Sequence, residues 1–183
     1  MNIHKHALMY SMAAVFTVIA FSLGIYLAGI TNTALNYVSY AFYIGILVFA
    51  IKAWRDKEKN GFLTYGQAMG YSSLIALYYS IVMAIWTYVF MMYIAPGLME
   101  SEMIKQEAIM EAKGMPPEQV EMAMKYARMF ATPPVLACFA FFGGMIFLTV
   151  INLVVAAIMK KDPPPMGFGT PQEPFSANNP YTN

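Results

Sequence analysis

The chain keeps its charged residues apart from its apolar ones. No Asp, Glu, Lys or Arg occurs from Ala7 to Ile51, from Asn60 to Met99 or from Met129 to Met159. A helical span needs about 20 apolar residues, and a Lys, Arg or Asp at its centre costs roughly 2.5–3.5 kcal/mol, so a bilayer imposes this separation where water does not. The pattern predicts an all-α fold. It is an integral membrane bundle of four transmembrane helices, with an amphipathic helical hairpin between helices three and four.

The first stretch is too long for one span and breaks at Thr31-Asn32-Thr33 and Asn36, which divides it into helices at about 8–30 and 37–54. The short link makes them antiparallel. Helix three, about 66–95, opens on a capping box, in which the Thr64 hydroxyl accepts from the Gln67 backbone N–H and the Gln67 side chain returns to the Thr64 N–H. Pro96-Gly97 kinks or ends it. Helix four, about 133–159, takes Thr132 as its N-cap with Pro133 at the first helical position, and stops at Lys160-Lys161-Asp162. Between helices three and four, residues 98–130 mix apolar and charged positions at helical spacing; Gly114 ends one helix and Pro116-Pro117 start the next. Residues 1–161 thus form the transmembrane domain. Residues 162–183 read as a disordered, Pro-rich cytoplasmic tail.

Composition agrees: charged residues make up 11% of the 183, against the ~25% usual in soluble domains. The formal net charge of +1 gives no case for nucleic acid, and a single cysteine, Cys138, cannot form a disulfide within the chain. Lys5 before an apolar run has the outline of a signal peptide, but the run is long and Tyr26-Leu27-Ala28 lacks a small residue at its first position, so the segment reads as an uncleaved anchor. With four spans, Lys5, Lys52, Arg55, Lys57, Lys59, Lys160 and Lys161 share one side, while Lys105, Lys113, Lys125 and Arg128 share the other with six glutamates from Glu100 to Glu121. The basic excess near span ends puts both termini in the cytoplasm and the acidic hairpin outside.

Thr64-Tyr65-Gly66-Gln67-Ala68, Pro96 with its following acidic helix, the Gly114 break, and Gly143-Gly144 ahead of the segment Asn152 to Ile158 form one pattern. It resembles a bacterial membrane-protein family known as domain of unknown function four-one-nine-nine, over about Lys5 to Lys161. The resemblance implies four transmembrane helices with an extramembrane insertion before the last, and implies no activity. The tail after Asp162 lies outside it.

Small residues recur at four-residue spacing, as at Ala20, Gly24 and Ala28 in helix one and Ala41 and Gly45 in helix two. Helix three carries Gly66, Gly70, Ala76, Ser80 and Ala84, and helix four has Ala140 and Gly144 beside Gly143. Such faces let helices approach closely in lipid, within one chain or between copies. Ser72, Ser73, Ser80, Thr87, Thr149 and Asn152 are neutral polar residues inside spans, suited to hydrogen bonds across helices at about 0.6 kcal/mol each. Seven of the 17 methionines lie from Met99 to Met129; Met99 and Met103 are one turn apart, a spacing open to Cu(I), but flexible apolar packing is the plainer use.

Catalytic signals are missing. His4 and His6 sit at the terminus, where disorder is the rule, and no HExxH, nucleophile elbow or phosphate loop occurs. Cys138 has no base in its span and reads as a small apolar core residue. The expectation is a non-enzymatic structural or interaction subunit of the bacterial inner membrane, without cofactor, metal or catalytic residue. Its partners would be the lipid bilayer, a membrane or periplasmic protein, or further copies of itself. The alternative is a small transport or channel component, handling a soft metal through outward methionines.

Overall fold

The computed structural model describes residues 2–30 and 34–162, helical apart from caps and short connections. The expected break at Thr31–Thr33 and the tail from 163 onward lie outside the described residues. Helix α1 (Ile3–Leu27) begins more than a turn before Leu8, because the Asn2 side chain accepts from the His4 N–H at 3.2 Å and caps it. It ends before the expected Ile30. Gly29, at φ 65°, takes the left-handed conformation, the Gly29 N–H reaches Tyr26 O at 3.1 Å and the Ile30 N–H reaches Ile25 O at 3.2 Å, a Schellman closure.

Helix α2 (Ala34–Glu58) continues a turn beyond Trp54, since Arg55, Lys57 and Glu58 are good helix formers with no reason to stop where hydropathy falls. Asn60 at φ 51° and Gly61 at φ 83° turn the chain. Helix α3 (Tyr65–Val89) runs into a π-helical turn, Phe90–Ile94, closed by the Ala95 N–H on Phe90 O at 2.8 Å. Pro96 disfavours helical backbone at the residue before it, and Ala95 leaves the helix at φ −134°. Helices α4 (Leu98–Ala112) and α5 (Pro117–Phe130) are joined through Gly114 at φ 75°, with a second Schellman closure from the Met115 N–H to Met110 O at 3.2 Å. Helix α6 (Pro133–Met159) starts on Pro133; Thr132 occupies its N-cap position without a side-chain hydrogen bond.

Four helical segments, Ile3–Leu27, Tyr37–Glu58, Tyr65–Ile94 and Pro133–Met159, are long and apolar enough to cross a membrane. Helix α3 is the centre of their packing, in contact with α1, α2 and α6. Leu63 and Lys161 exchange backbone hydrogen bonds at 2.8 Å, Asn152 meets Ser72, and Gly144 faces Ser80. These pairs step in opposite chain directions, so α3 and α6 are antiparallel in one register.

Among the described residues, every buried position of the long helices lies in one half of the bundle: from His6 to Val18, from Tyr43 to Trp54, from Ala68 to Ser80 and from Leu148 to Ala156. This is the half that holds the α2–α3 connection and the end of α6. Toward α4 and α5 the same helices expose Phe139, Phe142, Ile146, Ile85 and Tyr93. Helices α4 and α5 bury Met103, Val120 and Met124 against each other in a small core of their own.

Candidate functional site

Asn152 is fully enclosed within the bundle; its Nδ2 donates to Ser72 O at 3.0 Å while Oδ1 accepts from the Tyr43 hydroxyl at 3.3 Å. Tyr43 in turn meets Tyr79 edge-on, with ring centroids 5.0 Å apart. One amide thus ties α2, α3 and α6 together, and it uses its position on α6 to reach α3 through backbone rather than through a partner side chain. The other polar residues expected to bond across helices do not. Ser72, Thr87 and Thr149 donate to Met69, Met83 and Met145 of their own helices, the local back-bonding that short hydroxyl side chains offer. Ser80 Oγ is buried without a hydrogen-bond partner.

The expected close approach at glycines is corrected. A Cβ at Gly24, Gly45, Gly66, Gly70 or Gly143 would meet nothing within 4 Å; at Gly144 it would stand 3.4 Å from Ser80 Oγ. Gly24, Gly66, Gly70 and Gly143 are exposed on the surface of the bundle. The face of α3 that packs is offset from Gly66 and Gly70 by two residues: Ala68, Ser72, Ala76 and Ser80 repeat every four positions and are all buried. Two residues are about 200° of helical rotation, so the glycine face looks away from the face that packs. Thr64 and Gln67 cap α3, with the Gln67 N–H on Thr64 Oγ1 at 3.4 Å and the Thr64 N–H on Gln67 Oε1 at 3.3 Å.

His6 departs furthest from its expected disorder. It is 3% exposed, its Nδ1 shares a hydrogen bond with the Tyr71 hydroxyl, and its ring lies among Tyr10, Trp54 and Tyr71 at centroid distances of 4.8, 5.2 and 5.6 Å. Trp54 and Tyr71 stack at 8°. His4 Nδ1 is 2.9 Å from the Tyr78 hydroxyl. The signal for this cluster was the one-turn spacing of His6 and Tyr10 at the head of a long charge-free run, which a disordered terminus has no use for. Cys138, read as a core residue, is exposed on α6. No group of three or more His, Cys, Asp or Glu suited to a metal ion occurs among the described residues.

A groove of about 360 Å³ opens between α4, α5 and the first turns of α6. Met99, Met103, Met110 and Met124 contribute thioethers to its wall, and Phe130, Leu136 and Phe139 complete it on the side of α6. Glu102 and Gln106 are its polar positions. Arg128 Nη2 stands 3.4 Å from Glu100 Oε1, tying the last turn of α5 to the first of α4; both side chains are over half exposed, so the pair contributes at most about 1 kcal/mol.

No curated protein and no solved structure matches the chain. The family described as "Protein of unknown function (DUF4199)" matches residues 8–161, from the second turn of α1 to the clasp between Lys161 and Leu63, and leaves His4 and His6 outside. The chain belongs to that family of proteins of unknown function.

Proposed function

We propose that the protein is a multi-pass protein of the bacterial inner membrane, both termini cytoplasmic, acting without catalysis as a structural or interaction subunit that presents α4 and α5 outward. The observation that carries this reading is the division of charge between the two ends of the bundle. The Leu63–Lys161 clasp brings the α2–α3 connection to the end of α6, and the contacts of His6 with Trp54 and Tyr71 bring the start of α1 to the same end. Lys5, Lys52, Arg55, Lys57, Lys59, Lys160 and Lys161 therefore gather at one end, which the positive-inside rule assigns to the cytoplasm. The opposite end carries α4 and α5 with glutamates on exposed faces, a surface suited to a protein partner or a further copy. Photoreactive residues at Glu111 and Glu118 in native membranes should give a discrete crosslinked product, either with a second protein or with another copy. Neither site yielding a product would overturn the interaction role.

The polar residues within the bundle support a structural use over a transport path, because Ser72, Thr87 and Thr149 are bonded to backbone carbonyls and Asn152 is enclosed. A second reading is favoured by one observation: four methionines share the groove beside α6, and thioethers select Cu(I). Replacing Met99, Met103 and Met110 by Leu nearly conserves volume and costs under about 1.5 kcal/mol, so the triple variant should assemble like the parent. Stoichiometric copper retained by the purified parent and lost from that variant would make metal handling the leading function.

A further inference from the structure

We infer that the groove between α4, α5 and the start of α6 is a binding site for one acyl chain of a membrane phospholipid. The inference rests on the membrane reading above and adds a ligand to it. Ligand pockets are concave, mostly apolar and upward of about 300 Å³, and this groove, at about 360 Å³, is apolar except for Glu102 and Gln106. Its position decides the occupant. Helix α5 ends at Phe130 and α6 begins at Pro133, so the groove straddles the point where the chain passes from the polar helices into a membrane span.

Two further observations point to lipid. A second apolar groove, walled by Phe130, Cys138, Phe139 and Phe142, shares Phe130 and Phe139 with the first and continues along the outer surface of α6. An acyl chain can therefore pass from the bilayer into the groove without crossing polar surface. The long helices also have no fully buried residue in this half of the bundle, where Phe139, Phe142 and Ile146 of α6 stay exposed, so part of their apolar surface here lacks protein cover among the described residues. Four of the eleven residues in the groove wall are methionine, which adapts its shape to a flexible apolar ligand as it does at promiscuous binding surfaces.

The test reconstitutes the full chain in phosphatidylethanolamine and phosphatidylglycerol vesicles containing a phospholipid with a diazirine at mid-acyl chain, and maps adducts by mass spectrometry after irradiation. Phe16 and Phe49, exposed on α1 and α2, report general contact with lipid. Adducts are expected at Met103 and Met124 as well as at Phe16 and Phe49. Ala127→Trp, which fills the groove, should abolish the adducts at Met103 and leave those at Phe49; Ala131→Phe offers a second way to fill it if the first variant does not fold. The leucine triple variant should keep its adducts at Met124, because an apolar wall suffices for a chain and not for copper. Labelling of Phe16 and Phe49 without Met103 or Met124, or adducts unchanged when the groove is filled, would each overturn the acyl site while leaving the membrane reading intact. Absence of adducts at Phe16 and Phe49 would overturn both.

Discussion

Asn152 and Ser80 stand on the same α3–α6 seam and should respond to substitution in opposite directions. Asn152 satisfies its amide on Ser72 O and the Tyr43 hydroxyl in a fully enclosed position. Asn152→Val removes both bonds and leaves the Tyr43 hydroxyl buried without a partner, a loss of about 1–3 kcal/mol. Tyr43→Phe in the same background should recover part of it by removing the orphan; a double variant no more stable than Asn152→Val in detergent unfolding would refute the pairing. Ser80 Oγ already lacks a partner, so Ser80→Ala removes a desolvated hydroxyl and should raise the unfolding midpoint. A lower midpoint would mean that Ser80 holds a bond the seam depends on.

Along α3 the small residues define a face, and the face that packs is Ala68, Ser72, Ala76 and Ser80. Ala68→Leu places a branched side chain into a fully buried position and should cost about 1–3 kcal/mol by overpacking, whereas Gly66→Leu and Gly70→Leu meet open space and should leave thermal stability in detergent close to the parent. Equal damage from Gly66→Leu and Ala68→Leu would return the packing role to the glycines. The four apolar stretches, Gly114 and Pro117 were legible in the sequence because each rests on a local rule: hydropathy, left-handed backbone or a missing N–H. Which small-residue face turns inward was not, since Gly66 and Ala68 obey the same spacing and only the position of α6 separates them. The groove was equally hidden. Met99 and Met103 announce a shared face, but Leu136 and Phe139 reach it from beyond the α5–α6 connection. His6 was misread because its helix begins with a cap at Asn2 and its partners Trp54 and Tyr71 are distant in sequence.

At the scale of the molecule, the buried core and the basic residues share one end, while the thinly packed, methionine-lined half carries the acidic helices. The proposed orientation makes the first end cytoplasmic, and it can be tested with single cysteines in a Cys138→Ala background, Cys138 itself being exposed. A cysteine at Gly114, in the turn between α4 and α5, should react with an impermeant maleimide added to intact cells; one at Asn60, in the α2–α3 connection, should react only after the membrane is opened. Both positions have positive φ, at 75° and 51°, so each variant strains a turn, and Glu111 and Lys59 provide neighbouring helical or turn positions where no such strain arises. The bias toward a cytoplasmic basic end acts through charges close to span ends, and Lys160 and Lys161 directly follow α6, while Lys105, Lys125 and Arg128 lie on α4 and α5 and Lys113 caps α4. Removing charge at the basic end tests the cause as well as the outcome. In the Lys59→Cys chain, replacing Arg55, Lys57, Lys160 and Lys161 by Gln should produce a second population labelled from outside, while replacing Lys105, Lys113, Lys125 and Arg128 by Gln should not. Labelling at Asn60 or Lys59 from outside in the otherwise unaltered chain would invert the proposed topology, and with it the side of the membrane that α4 and α5 face.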